Sequence, residues 1–168
     1  AGDVSQALFA RITLIRSWQQ DEGTLRGLDE IIRSALKSGT QAPQTRSIPK
    51  IHRAVSSMID GSGAQSISMA IQSGSRRALA VVLLKQGFGV KDAFVIPCSS
   101  ATEQKQMIGQ IMDEAGALDT TADYVFVALS WALADGQAMG IMPAAGLLDV
   151  VETDRGDDLG KGFQRRLM

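Results

Sequence analysis

The sequence predicts an all-α fold, a compact bundle of seven or eight short helices with one central apolar helix near residues 122–135 and a polar C-terminal tail. Three observations predict it. Apolar residues recur at steps of three and four through most of the chain, and no convincing strand alternation appears. Capping and stop residues punctuate the apolar stretches at helix-length intervals. The longest apolar run, Tyr124 to Ala134, is broken only by Ser130 and reads as a helix apolar nearly all round, which belongs in the middle of a bundle.

The elements follow in order. A first helix spans about Ser5 to Gln20, capped by Asp3 or Ser5, with Leu8, Ile12 and Ile15 as its buried stripe and Trp18 on the same side. A second starts at Thr24, turns Leu25, Leu28, Ile32 and Leu36 inward, and stops at Gly39. Residues 39–47 form a polar loop. A third helix begins at Ser47 with Pro49 in its first turn, where a missing N–H costs nothing, and buries Ile51, Val55, Met58 and Ile59. The stretch Asp60-Gly61-Ser62-Gly63 breaks it. A short helix carries Ile67, Ala70 and Ile71, and another, capped by Ser75, carries Leu79, Val82 and Leu83. Ala93 to Pro97 is the one strand-like run. It has no visible partner and is read as a connector or short helix. Ser100 and Glu103 form a capping box ahead of Met107, Ile108, Ile111 and Met112, with Gly116 as the stop. Thr120 or Thr121 caps the apolar helix, and Pro143 opens a last one with Leu147, Leu148 and Val151. The whole is one helical domain over 1–152. Residues 153–168 are a tail or arm, with Phe163 and Leu167 as its apolar anchors.

Composition narrows the function. With 168 residues, 45% of them hydrophobic and 21% charged, the chain can bury roughly 70% of its unfolded surface without disulfides or metal. One cysteine excludes a disulfide framework, and one histidine argues against a zinc site. The apolar run would make about 16 Å of helix, half a bilayer core, so no membrane span is expected. No signal peptide is visible, and a soluble intracellular protein is the expectation.

The net charge of −1 conceals a split. Residues 1–91 hold 12 Lys/Arg against 6 Asp/Glu, while residues 92–168 hold 5 against 12. A basic half (1–91) followed by an acidic half (92–152 and the tail) either neutralises internally or offers opposed faces to partners. Arg46, Lys50, Arg53, Arg76 and Arg77 are the candidate anion-contacting residues. On helices, Lys50 and Arg53 share a face. Arg76 and Arg77 fall in a first turn, the end that electrostatics disfavours for cations and where a bound anion would compensate.

Catalytic patterns are missing. His52 and Cys98 lack a supporting motif, no Gly-x-Ser-x-Gly elbow occurs, and neither Gly61-Ser62-Gly63 nor Gly87-x-Gly89 continues into a phosphate-binding loop. Asp113-Glu114 and Asp157-Asp158 are adjacent in sequence and diverge by about 100° on a helix, so they do not converge as an acid–base pair. Of the seven methionines, Met58 and Met69, Met107 and Met112, and Met139 and Met142 fall at or near core spacing, with a Met-lined groove as the alternative.

The expectation is therefore a non-enzymatic helical interaction or assembly protein. It has no cofactor, no metal and no small-molecule substrate. Its basic half contacts an anionic partner, an acidic protein surface or nucleic acid, and its acidic half contacts protein or another copy. A second reading comes from two patches. Trp18-Gln19-Gln20-Asp21-Glu22 has the form Trp-x-x-x-Glu, and Gly63-Ala64-Gln65-Ser66-Ile67-Ser68 follows later. In these 11 residues the chain is similar to bacterial secreted effectors of the Trp-x-x-x-Glu class, exchange factors for Rho-type GTPases. That resemblance implies a helix-bracing role for Trp18 and Glu22 and a catalytic-loop role for Gly63 to Ser66.

Overall fold

A computed structural model describes residues 6–41 and 50–153. The chain divides into two compact units, residues 1–45 and 46–168.

The first unit is a helical hairpin. Helix α1 (Gln6–Trp18) and helix α2 (Glu22–Lys37) pack against each other. Asp21 starts α2: its carboxylate accepts from the Thr24 backbone N–H and hydroxyl, both at 2.8 Å, satisfying a donor that the first helical turn leaves free. Arg16 on α1 grips Asp29 on α2, with Nη2 to Oδ2 at 3.1 Å. The buried residues of α1 are Phe9, Ala10, Leu14 and Trp18. The expected stripe is thus rotated: Leu8 is exposed, and Ile12 and Ile15 are half-buried. In α2, Leu25, Leu28 and Ile32 are half-buried and Leu36 is exposed.

The second unit is not a helical bundle, and the all-α expectation is overturned here. Strands β1 (Lys50–Ser56), β2 (Ala64–Ser73), β3 (Arg76–Lys85) and β4 (Gly89–Cys98) are followed by helix α3 (Ala101–Ala115), strand β5 (Leu118–Thr120) and helices α4 (Ala122–Ala138) and α5 (Leu147–Thr153). The five strands form one sheet in the order β4-β3-β2-β1-β5, with every neighbour antiparallel. The helix expected from Ser47 onward, the short one around Ile67 to Ile71 and the one capped by Ser75 give way to β1, β2 and β3. The run Ala93 to Pro97, read as a connector without a partner, lies in β4 and pairs with β3.

The sheet is covered on both faces, which explains the misreading. Val55, Ala70, Leu79 and Cys98 point to one face and pack with Ile108 of α3 and Ala117. Their neighbours in β2 point the other way. Gln65, on the same side of the strand as Ile67, Met69 and Ile71, bonds to Tyr124 of α4, so α4 lies over the opposite face. Buried Val125, Leu129 and Leu133 of α4 and Leu147 and Val150 of α5 complete that second layer. A strand buried on both sides needs apolar residues at every position. The β3 run Leu79-Ala80-Val81-Val82-Leu83-Leu84 therefore loses the alternation that marks a half-exposed strand and satisfies helical spacing by accident.

Helix boundaries are closer to expectation. Ser100 caps α3 through the Glu103 N–H, and Gly116 ends it at φ 59°. Thr121 caps α4 through the Tyr124 N–H. The apolar helix is nevertheless not central. It lies on the outside of the sheet, and Trp131 is 76% exposed. Of the expected polar tail, 153–168, only Thr153 falls within the described residues.

Candidate functional site

The candidate basic residues that the structure describes, Lys50, Arg53, Arg76 and Arg77, sit on strands, and the sheet register decides which of them meet. Lys50 of β1 and Arg77 of β3 both pair with Gln72 of β2, on either side of it. Two ladder steps separate their backbones by about 10 Å. The three share the α3 face, because Arg77 also pairs with Cys98 of the α3-side core. Arg76 is the first residue of β3, opposite Ser73, and points to the other face. Lys50 and Arg76 are exposed and Arg77 half-buried, and no described carboxylate forms an ion pair with any of them.

A register shift between Ile51 and Arg53 leaves His52 as an extra residue in β1. Its Nε2 lies 2.9 Å from Gln72 Oε1, and the Gln72 amide nitrogen donates to the Gly74 carbonyl at 2.8 Å. The shift also keeps Lys50 and Arg53 on one face, although they are three apart, because their partners Gln72 and Ala70 are two apart. Three candidate residues, Lys50, Arg76 and Arg77, thus lie where β1 and β3 begin and β2 ends, with His52 next to them in β1. The helical argument for Arg76 and Arg77, a first turn short of an anion, does not apply to a strand.

Arg53 is already engaged. Its Nε donates to Asp119 Oδ1 at 2.6 Å and its Nη2 to Asp119 Oδ2 at 3.0 Å, with Met112 Sδ at 3.2 Å from Nη2. Hydrogen bonding to Asp119 raises the Arg53 pKa, and the same bond holds Asp119 below the usual carboxylate range. Arg46, Phe163 and Leu167 lie outside the described residues.

Groups that could serve chemistry are otherwise occupied. Cys98 is buried, and burial followed by the nearby Glu103 charge pushes its thiol pKa up, which keeps it protonated. Glu103 is held below its ordinary value by the Ser99 hydroxyl and N–H. Gln65, assigned to a loop by the exchange-factor resemblance, is a buried residue of β2. Its amide nitrogen donates to the Ser57 carbonyl at 3.1 Å and to the Tyr124 hydroxyl at 2.7 Å. Trp18 and Glu22 belong to the helical hairpin. Among the described residues no three His, Cys, Asp or Glu side chains converge as a metal site. No described helix is long and apolar enough to cross a membrane.

One feature escaped the sequence reading. The outward face of α4 is apolar: Tyr124 is 38% exposed, Val127 50% and Trp131 76%. The available signal was the lack of any charged stripe on that helix. Reading it as a sign of complete burial was the error.

The match to known proteins covers this same unit. The family described as "Domain of unknown function (DUF7401)" matches over residues 46–136, from just before β1 to the last turns of α4. The chain belongs to that family. The matched region contains all five strands, α3 and the exposed apolar face. The chain is also 30% identical over 153 residues to "Uncharacterized protein y4lR" of Sinorhizobium fredii (strain NBRC 101917 / NGR234). That alignment takes in 90% of this chain and 29% of the relative, so the chain spans less than a third of its length. No solved structure matches.

Proposed function

We propose that this chain is a non-enzymatic interaction domain. Its basic sheet end contacts an anionic partner, an acidic protein surface or a nucleic acid, and its C-terminal half contacts protein. The observation that carries the reading is the placement of Lys50 and Arg77 on either side of Gln72, with Arg76 next in the chain on the opposite face and no described carboxylate in an ion pair with any of the three. Cationic side chains held on two strands that flank a third are pre-spaced, so an anion meets them without the ordering cost of gathering them from loops. The opposite charge on the C-terminal half is partly spent within the chain itself, where Asp119 neutralises Arg53. The reading therefore rests on the sheet end rather than on a dipole across the whole chain.

Fluorescence anisotropy with two labelled probes, an RNA duplex and a polyglutamate peptide, tests it at about 50 and about 200 mM salt. The expected result is salt-sensitive binding of one probe, weakened at least about tenfold by the triple variant K50E/R76E/R77E. The probe retained distinguishes nucleic acid from acidic protein. No binding of either probe at the lower salt, or binding that the triple variant leaves unchanged, sinks the reading.

A further inference from the structure

Helix α4 presents to solvent a face with no charge beyond its first turn. After Asp123 its exposed residues are Tyr124, Val127, Trp131, Ala134 and Ala138, joined at the C-cap by Met139. Steps of three, four, three and four place the first five on a single seam, the spacing that lets one helix pack along another. A helix facing only water on that side would carry charged residues there.

The seam is graded in size. Its first half holds Tyr124, Val127 and Trp131, and its second half only alanines. We infer that a second copy of this chain covers it, with the two α4 helices antiparallel about a two-fold axis. In that arrangement Trp131 lies over the partner's Ala134, and Val127 over the partner's Ala138. Large side chains then meet small ones at successive levels, the interdigitation that fills space without voids. A parallel pair would stack Trp131 on its own copy and leave gaps at the alanines.

Charge agrees with this occupant. No Lys or Arg occurs in α4, so the seam offers nothing to an acidic partner. Antiparallel packing sends the two Asp123 carboxylates to opposite ends, and Asp135 is already bonded to the Gly87 N–H. Area sets the strength of the contact. Trp131 at 76% exposure, Met139 at 60%, Val127 at 50% and Tyr124 at 38% leave about 450 Å² per copy to cover. About 900 Å² per pair falls below the roughly 1,200–2,000 Å² of tight complexes, so the dimer is a weak, concentration-dependent one. The inference deepens the protein-contact half of the function proposed above. Its test reads mass rather than anion binding, so either can fail alone.

Sedimentation equilibrium of the 168-residue chain across about 1 μM to about 1 mM brackets a contact of this size. The expected result is a mass rising from one copy to two, with Trp131 emission moving to shorter wavelength over the same range. A134E changes an exposed helical position to a good helix former, and V127K charges the same face. Both hold the mass at one copy, with the far-ultraviolet circular dichroism unchanged. A parent that stays at one copy throughout, or a dimer that both variants leave intact, overturns the inference.

Discussion

Arg53 and Asp119 meet diagonally across the β1–β5 ladder in a two-pronged ion pair, Nε to Oδ1 at 2.6 Å and Nη2 to Oδ2 at 3.0 Å. Val55 is the residue directly opposite Asp119, so Arg53 reaches one ladder step along the same face. β5 is three residues long and sits at the sheet edge. The pair is therefore a side-chain clasp on a strand with few backbone bonds of its own. It also ties the acidic half of the chain to the basic half at one defined point.

Acid should loosen that clasp. The Arg53 hydrogen bond lowers the Asp119 pKa in the folded protein, so the carboxylate stays ionised to lower pH there than in the unfolded chain. The stabilisation is full above the unfolded value, near about 4, and is lost as pH falls through the depressed folded value. Both side chains are partly exposed, so solvent screens the pair and the effect is small. D119N removes the titration. Thermal melts at neutral pH and near pH 3 should show a shallower acid loss in the variant than in the parent. Parallel curves would show that the pair does not contribute.

The legibility of the fold follows from where solvent touches it. Helices whose ends meet water carry their own punctuation, and α3 was readable from Ser100, Glu103 and Gly116 alone. β2 does alternate, with Ile67, Met69 and Ile71 against Ser66, Ser68 and Gln72, but Ala70 on the second face blurs the pattern into helical spacing. β3 has no alternation to read. Gly61, Gly63 and Gly87, which read as helix breaks, lie in the connections between antiparallel strands, and Gly89 opens β4. The two-residue Gly74-Ser75 connection between β2 and β3 is the shortest of them. The grouping of the described candidate basic residues is not legible in the sequence. Strand register joins Lys50 to Arg77 across 27 positions, whereas helical reasoning looks only three or four residues away.

Two glycines should prove irreplaceable for reasons of space. A Cβ on Gly89 would lie 2.7 Å from the Ala132 carbonyl oxygen and 2.9 Å from the Gly136 Cα, and its φ is 93°. At Gly146 a Cβ would lie far inside van der Waals contact distance of the Ala93 carbonyl oxygen. Gly116 also has positive φ, at 59°, but open space around it. G116A should cost about 1–2 kcal/mol, the left-handed penalty alone. G89A adds an overpacking term of about 1–3 kcal/mol between β4 and α4. Urea titration of G116A, G89A and G146A should rank G116A as the mildest. Equal midpoints for G116A and G89A would mean that α4 moves aside freely.

Gln104 supports the sheet from the α3 side and should be the most demanding polar residue in the core. It is 4% exposed, and its amide nitrogen donates to the Ile71 carbonyl at 3.0 Å and the Ala78 carbonyl at 2.7 Å. Those carbonyls belong to β2 and β3, so one side chain binds the two strands that carry Gln72 and Arg77. Q104L keeps the bulk of the side chain while removing the donor. Two buried acceptors then lose a partner, at a cost of about 1–3 kcal/mol. Q106L, on the exposed side of the same helix, should stay within about 0.5 kcal/mol of the parent. Hydrogen exchange adds a local readout, because faster exchange in Q104L should concentrate in the strand ends around Ile71 and Ala78. Uniform loss of protection across the sheet would instead make Gln104 an ordinary packing residue.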